Sequence, residues 1–165
     1  PVRDPRLFLW NAGLSERLDP GRISIMGHSM GGHGALVMAL RNPGRYAAVS
    51  AFAPICAPAE VPWGHKAFGG YLGEDRQDWA AYDATALVES GHRFEGMPAP
   101  LIDQGTDDNF LEEQLRPGLL EAACEAAGQP LELRRQPGYD HSYFFIASFM
   151  DEHLRRHAAA LAEGR

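Results

Sequence analysis

Residues 27–31 read Gly-His-Ser-Met-Gly, which places a glycine two positions to either side of Ser29. A serine hydroxyl is a weak nucleophile until a sharp turn exposes it and a neighbouring base takes its proton. Such a turn needs a strand before it and a helix after it, with glycines where the two backbones crowd each other. Ile23-Ser24-Ile25-Met26 has the character of a short buried strand, and Gly31-Gly32-His33-Gly34-Ala35-Leu36 opens a helical stretch. The chemistry indicated is attack on a carbonyl through a covalent serine intermediate. A Gly-rich strand-to-helix turn with a passive serine is the plainer alternative, and the flanking pattern argues against it.

A working serine of this kind needs a base, and the base needs an acid to orient it, in the chain order Ser, Asp or Glu, His. Seven histidines are available, and His28, His33, His65 and His92 all precede the best acidic loop. His153 and His157 lie four apart on the C-terminal helix, where they are expected on a face towards solvent or a neighbour. As a metal pair they lack a Glu after His153 and a third ligand. That leaves His141, in the Gly138-Tyr139-Asp140-His141-Ser142 loop. The acid is expected in Gly105-Thr106-Asp107-Asp108-Asn109. Spacing does not choose between Asp107 and Asp108, and one of them is expected to be an ordinary turn carboxylate. Asp103, at the end of a strand, is expected to cap or bridge within the sheet.

The elements that must position these groups follow from the apolar pattern, which alternates short β-type runs with longer helical ones and so predicts a mostly parallel sheet flanked by helices. Leu7–Leu18 reads as an opening helix closed by Asp19-Pro20-Gly21. Ile23–Gly27 reads as a strand, and Ala35–Leu40, apolar on every side, as a buried helix that stops at Asn42-Pro43-Gly44. Ala47–Phe52 is a second strand. Residues 54–96 form an excursion with short helices, one capped by Asp83 and running through Leu87. Pro100–Asp103 is a third strand, and Pro117–Ala127 a helix with Pro at its first turn and Gly128 past its end. Leu131–Gln136 is a fourth strand. The last helix, Tyr143–Leu161, presents Phe145, Phe149, Leu154 and Leu161 at helical spacing.

The 165 residues fit one domain, residues 1–165, and can bury one substantial core. With 45% hydrophobic and 22% charged residues, disordered and collagen-like chains are excluded. A net charge of −7, with no basic run longer than Arg134-Arg135 or Arg155-Arg156, argues against a nucleic-acid partner. No apolar stretch approaches a membrane span and no signal peptide opens the chain, so no membrane partner is expected. Two cysteines, Cys56 and Cys124, are too few for a disulfide framework and are expected as packed, unreactive thiols in a cytoplasmic protein.

Taken together, the blocks Gly-His-Ser-Met-Gly-Gly-His-Gly-Ala-Leu (27–36), Val-Ser-Ala-Phe-Ala-Pro-Ile-Cys (49–56) and Pro-Trp-Gly-His-Lys-Ala-Phe (62–68) carry a specific resemblance. Gly-Tyr-Leu-Gly (70–73), Tyr-Asp-Ala-Thr (82–85), Leu-Ile-Asp-Gln-Gly (101–105) and Gly-Tyr-Asp-His-Ser-Tyr (138–143) extend it. The chain resembles the C-terminal portion of the esterase D type of S-formylglutathione hydrolase, within the α/β-hydrolase superfamily, from about Asp19 to His157. The resemblance implies an α/β-hydrolase fold and places the nucleophile at Ser29, the acid at Asp108 and the base at His141. It implies hydrolysis of the thioester S-formylglutathione to glutathione and formate, the chemistry of formaldehyde detoxification, with general carboxylesterase activity and no cofactor. The backbone N–H of Met30 is then one oxyanion donor. Trp63, Lys66 and Tyr71 become candidate lining for the acyl or glutathione pocket, against core packing for the aromatics and a solvated surface for Lys66.

The resemblance is to a longer protein, and Arg3–Leu14 does not match it clearly. Only about twenty residues precede Ile23, so the nucleophile strand is expected at or near a sheet edge, and the second oxyanion donor, which comes from an upstream loop, is not among the matching residues. Two further readings follow. One is a catalytically impaired fragment that serves as an interaction module, pairing through that edge as a homodimer. The other is a carboxylesterase for acetyl or feruloyl esters.

Overall fold

Four short strands pair in the order in which the chain makes them, and every pairing is parallel. They are β1 (Ile25–His28), β2 (Val49–Phe52), β3 (Leu101–Gly105) and β4 (Glu132–Gln136). The computed structural model describes residue 19 and residues 21–163. The opening helix expected over Leu7–Leu18 lies outside the described residues.

Parallel neighbours need a crossover at each step, and helices supply it. Met30–Arg41 forms α1 between β1 and β2. The longer connection from β2 to β3 holds a 3₁₀ turn (Pro58–Glu60), α2 (Pro62–Leu72), α3 (Arg76–Ala80) and α4 (Ala84–Glu89). A π-helical turn (Leu111–Leu115) and α5 (Pro117–Ala126) join β3 to β4, and α6 (Tyr143–Glu163) ends the fold. The stops read from the sequence hold. The Asn42 side chain donates to the Met38 carbonyl at 2.8 Å to close α1, and Gly128 past α5 takes φ +63°. The Asp83 carboxylate caps α4 by accepting from Ala86 N at 3.0 Å. The π-helical turn was not foreseen, because no residue type marks it.

Side chains alternate along β2, and this sorts the core into two layers. Val49 and Ala51 face Leu36, Leu40, Leu87, Val88 and Leu120 of α1, α4 and α5. Phe52 faces the other way, towards Phe145 and Ile146 of α6. β2 and β3 are buried throughout, whereas β1 is half-buried and is an outer strand of the described sheet. No helix among the described residues is long and apolar enough to cross a membrane.

One expectation is overturned on α6. His153 and His157 do not face solvent or a neighbour; they are 0% and 4% exposed. The inward row of α6 runs Phe145, Phe149, His153, His157 in steps of four, while Leu154 is half-exposed. Two imidazoles can be buried because the sheet gives them partners: Ser50 Oγ lies 2.8 Å from His153 Nδ1 and 2.7 Å from His157 Nε2, and Asp103 Oδ2 lies 2.9 Å from His153 Nε2.

Candidate active site

Ser29 stands between the last residue of β1 and the first of α1 with φ 55° and ψ −116°, a conformation that L residues rarely adopt. The surrounding backbone holds it there. Ser29 N donates to the Phe52 carbonyl at 2.9 Å, and the Ser29 carbonyl accepts from His33 N at 2.9 Å. Gly27 is required by the close approach of strand and helix, since a Cβ there would lie 2.2 Å from the Gly31 carbonyl oxygen. Met30 opens α1, where backbone N–H groups have no intrahelical acceptor and the helix dipole favours negative charge.

The acidic loop leaves the carboxyl end of β3. Asp108 is buried and its carboxylate takes three donors: Phe110 N on Oδ1 at 2.9 Å, and His141 Nδ1 at 2.6 Å and Gln104 Nε2 at 3.2 Å on Oδ2. Burial alone would raise the Asp108 pKa, but the bonds from His141, Phe110 and Gln104 outweigh it and hold the carboxyl below its ordinary value. Asp107, by contrast, is exposed and accepts from the Thr106 hydroxyl at 3.0 Å. Between the two candidates left open by spacing, Asp108 is the one that meets the imidazole.

His141 comes from the loop between β4 and α6, and that loop is sewn to the acidic one. Asp107 N donates to the Tyr139 carbonyl at 3.0 Å, and Gly138 N to Thr106 Oγ1 at 3.0 Å. The strand end at Gly105 passes so close that a Cβ would sit 2.2 Å from the Tyr139 oxygen. The His141 ring lies 4.5 Å from the ring of His28, the residue before Ser29, and packs against the edge of Phe110 at 5.2 Å. Ser29, Asp108 and His141 thus gather at the carboxyl ends of β1, β3 and β4, although no hydrogen bond joins the Ser29 hydroxyl to the ring. Burial, followed by the charge of His141, lowers the pKa of His28, and burial brings His33 to about 4.

An apolar cavity of about 340 Å³ opens beside the turn, lined by Met30, His33, Val37, Ile55, Trp63 and Tyr71 among others. Two of the three proposed lining residues are therefore present, while Lys66 is exposed and outside the lining. The Trp63 ring also packs at a tilt against Phe110, 4.7 Å between centroids, so aromatic rings run from the cavity to His141. A larger cavity, about 670 Å³, lies between α4 and α5, but its Asp83 is committed to capping and none of Ser29, Asp108 and His141 lines it. The residues that sequence reasoning missed are Gln104, His28 as a neighbour of the base, and the pair His153–Asp103. Nothing in local spacing marks any of them.

A parallel sheet with a serine on a strand–turn–helix elbow, and an Asp–His pair at the same end, is the architecture of an α/β-hydrolase. The Esterase family model, described as "Putative esterase", matches residues 12–156, and the chain belongs to this family. Among solved structures it is similar to an S-formylglutathione hydrolase from Agrobacterium tumefaciens, at 49% identity and a TM-score of 0.88 over 97% of this chain and 56% of that one. A ferulic acid esterase (23% identity, TM-score 0.58, 84% of this chain and 51% of that one) shares the fold. So does a puromycin-hydrolyzing peptidase from Mycobacterium tuberculosis (17% identity, TM-score 0.66, 95% and 24%). The chain thus spans a little over half the length of the S-formylglutathione hydrolase that it matches.

Proposed function

We propose that the chain is a serine hydrolase that cleaves the thioester S-formylglutathione to glutathione and formate, with a general carboxylesterase activity alongside. The observation that carries the reading is the 2.6 Å bond from His141 Nδ1 to Asp108, beside a serine held at positive φ. With Nδ1–H committed to the carboxylate, Nε2 is left as the acceptor, which is the tautomer a general base needs. The 49% identity to an S-formylglutathione hydrolase supports the choice of substrate.

In this mechanism Ser29 Oγ adds to the thioester carbonyl carbon while its proton passes to His141. The oxyanion is met by the N–H of Met30 at the start of α1. Collapse expels the glutathione thiolate, which takes the proton from His141, and a formyl ester remains on Ser29. Water then adds with His141 as base, and formate leaves as the proton returns to Oγ. Asp108 stays ionised throughout and stabilises the imidazolium. No step needs a cofactor. The buried, unpaired thiols of Cys56 and Cys124 fit a cytoplasmic setting.

A carboxylesterase acting on acetyl or feruloyl esters is the second reading, and the apolar lining of the 340 Å³ cavity favours it. The experiment is a comparison of kcat/KM for S-formylglutathione, an aryl acetate and a feruloyl ester, each with Ser29→Ala as control. A preference of tenfold or more for the thioester is expected. A preference for the feruloyl ester selects the second reading, and turnover that survives Ser29→Ala rejects both.

A further inference from the structure

Gln104 is a buried amide on β3 that the mechanism above does not use. Its Nε2 lies 3.2 Å from Asp108 Oδ2, the same oxygen that accepts the hydrogen bond from His141 Nδ1, and 3.1 Å from the Gly105 carbonyl oxygen. Both neighbours are acceptors, so the amide must present its NH₂ group to them, and its orientation is fixed by chemistry. The consequence falls on the other end of the side chain: Gln104 Oε1 is buried without a partner among the described residues. A hydrocarbon side chain would avoid that penalty, so packing alone does not account for an amide here.

We propose that Gln104 is a positioning residue for Asp108. The inference rests on the triad reading above. Asp108 Oδ1 is fixed by Phe110 N, but Oδ2 must hold the imidazole in plane, and a second donor on that oxygen stops the carboxylate from rotating about its bond to Cβ. The same donor adds to the larger effects of His141 and Phe110, which favour the ionised carboxylate where burial works against the charge. Gln104 therefore acts on the rate through Asp108 and His141. It touches neither the substrate nor the serine.

The test uses Gln104→Met, which keeps the volume and removes the donor, and Gln104→Glu, which puts a second carboxyl beside Asp108. Two readouts are taken on the same proteins: the downfield proton resonance of His141 Nδ1–H by NMR, and ester hydrolysis across pH. For Gln104→Met a melting temperature equal to or above that of the parent is expected, with a displaced or faster-exchanging Nδ1–H resonance. Its kcat should fall about tenfold, with KM within twofold. For Gln104→Glu the rate relative to the parent should fall as pH rises, because deprotonation of the introduced carboxyl sets two negative charges together. A Gln104→Met protein with an unmoved resonance overturns the proposal, whatever its turnover. If the parent chain hydrolyses nothing, the resonance still decides on Gln104, and the failure belongs to the proposed function.

Discussion

His153 Nε2 lies 2.9 Å from Asp103 Oδ2, with both side chains wholly buried between β3 and α6. A carboxylate only accepts, so Nε2 donates to Asp103, while Nδ1 lies 2.8 Å from the Ser50 hydroxyl oxygen. Ser50 Oγ also lies 2.7 Å from His157 Nε2, so one hydroxyl links both imidazoles. Serine, histidine and aspartate are thus hydrogen-bonded in one buried set. The buried set is reversed about its ring, with the acid on Nε2 and the serine on Nδ1, and no carbonyl can reach Ser50. It fastens the sheet to the helix that follows His141.

Asp103 is the member on which the buried set depends, since it also takes two bonds from Arg134, at 2.8 and 2.5 Å, and one from Gln136 at 2.8 Å. Asp103→Asn leaves Arg134 with only the more exposed Glu152 and removes the charge that His153 faces. Urea denaturation should show a loss of about 2–4 kcal/mol. A loss below about 1 kcal/mol contradicts the clamp.

Acid should destabilise the protein in two stages. Burial holds His33 and His157 near pKa 4, against 6.5 for a free imidazole, with His153 and Arg156 adding to the effect at His157. Their folded pKa values are depressed, so above pH 6.5 they have no effect. Between pH 6.5 and 4 the unfolded chain binds protons that the folded one refuses, and stability falls by roughly 1–3 kcal/mol for each. Asp103 acts lower. Burial opposes its ionisation, but the bonds from His153, Arg134 and Gln136 bring it to about 2, so its contribution is full above pH 3.8 and is lost as pH falls through 2. Denaturation midpoints between pH 7 and 4 test the first stage, and His157→Gln, which cannot titrate, should flatten the slope.

Substitution within the proposed triad should separate its roles. Ser29→Ala should abolish labelling by a fluorophosphonate probe and lower kcat by about 10⁴-fold or more. Asp108→Asn should leave the fold intact and lower kcat by about 10⁴-fold, because the amide admits the wrong imidazole tautomer. Full labelling of the Ser29→Ala protein would place the reactive serine elsewhere.

Two glycines should respond in opposite ways to alanine. At Gly105 the new Cβ would meet the Tyr139 oxygen at 2.2 Å, so the loop carrying His141 must move. Gly105→Ala should lose about 1–3 kcal/mol together with most of the activity. At Gly34, inside α1, no atom lies within 4 Å of the added carbon, and Gly34→Ala should raise stability by about 0.5–1 kcal/mol. Thermal melts with an ester assay distinguish the cases.

Much of this was legible in the residues. The strand, Ser29 and the helix of the elbow are contiguous, and contiguous features leave a local signature. Asp83 before α4 and Asn42-Pro43-Gly44 after α1 are local signals as well, and both act as read. Strand limits shifted by one or two residues, as at β1, where Ala47 N still bonds the Ile23 carbonyl before the ladder proper begins. The histidines of α6 were misread because helical spacing was counted over apolar residues, and an imidazole counts as polar until its partners are known.

The sequence by itself determined that a serine would sit on a strained turn, with a histidine loop and an acidic loop downstream, because each rests on residues close together in the chain. Spacing left Asp107 and Asp108 open, and only the family resemblance favoured Asp108. The fold brings Asp108 to His141, and it alone decided that Gln104 braces it and that His153 and His157 turn inward to Ser50 and Asp103. Those contacts join residues up to 107 positions apart, and they exist only because parallel register sets Phe52 beside Asp103 and Asp103 beside Arg134. Register is a property of strands already paired, and no single stretch of chain contains it.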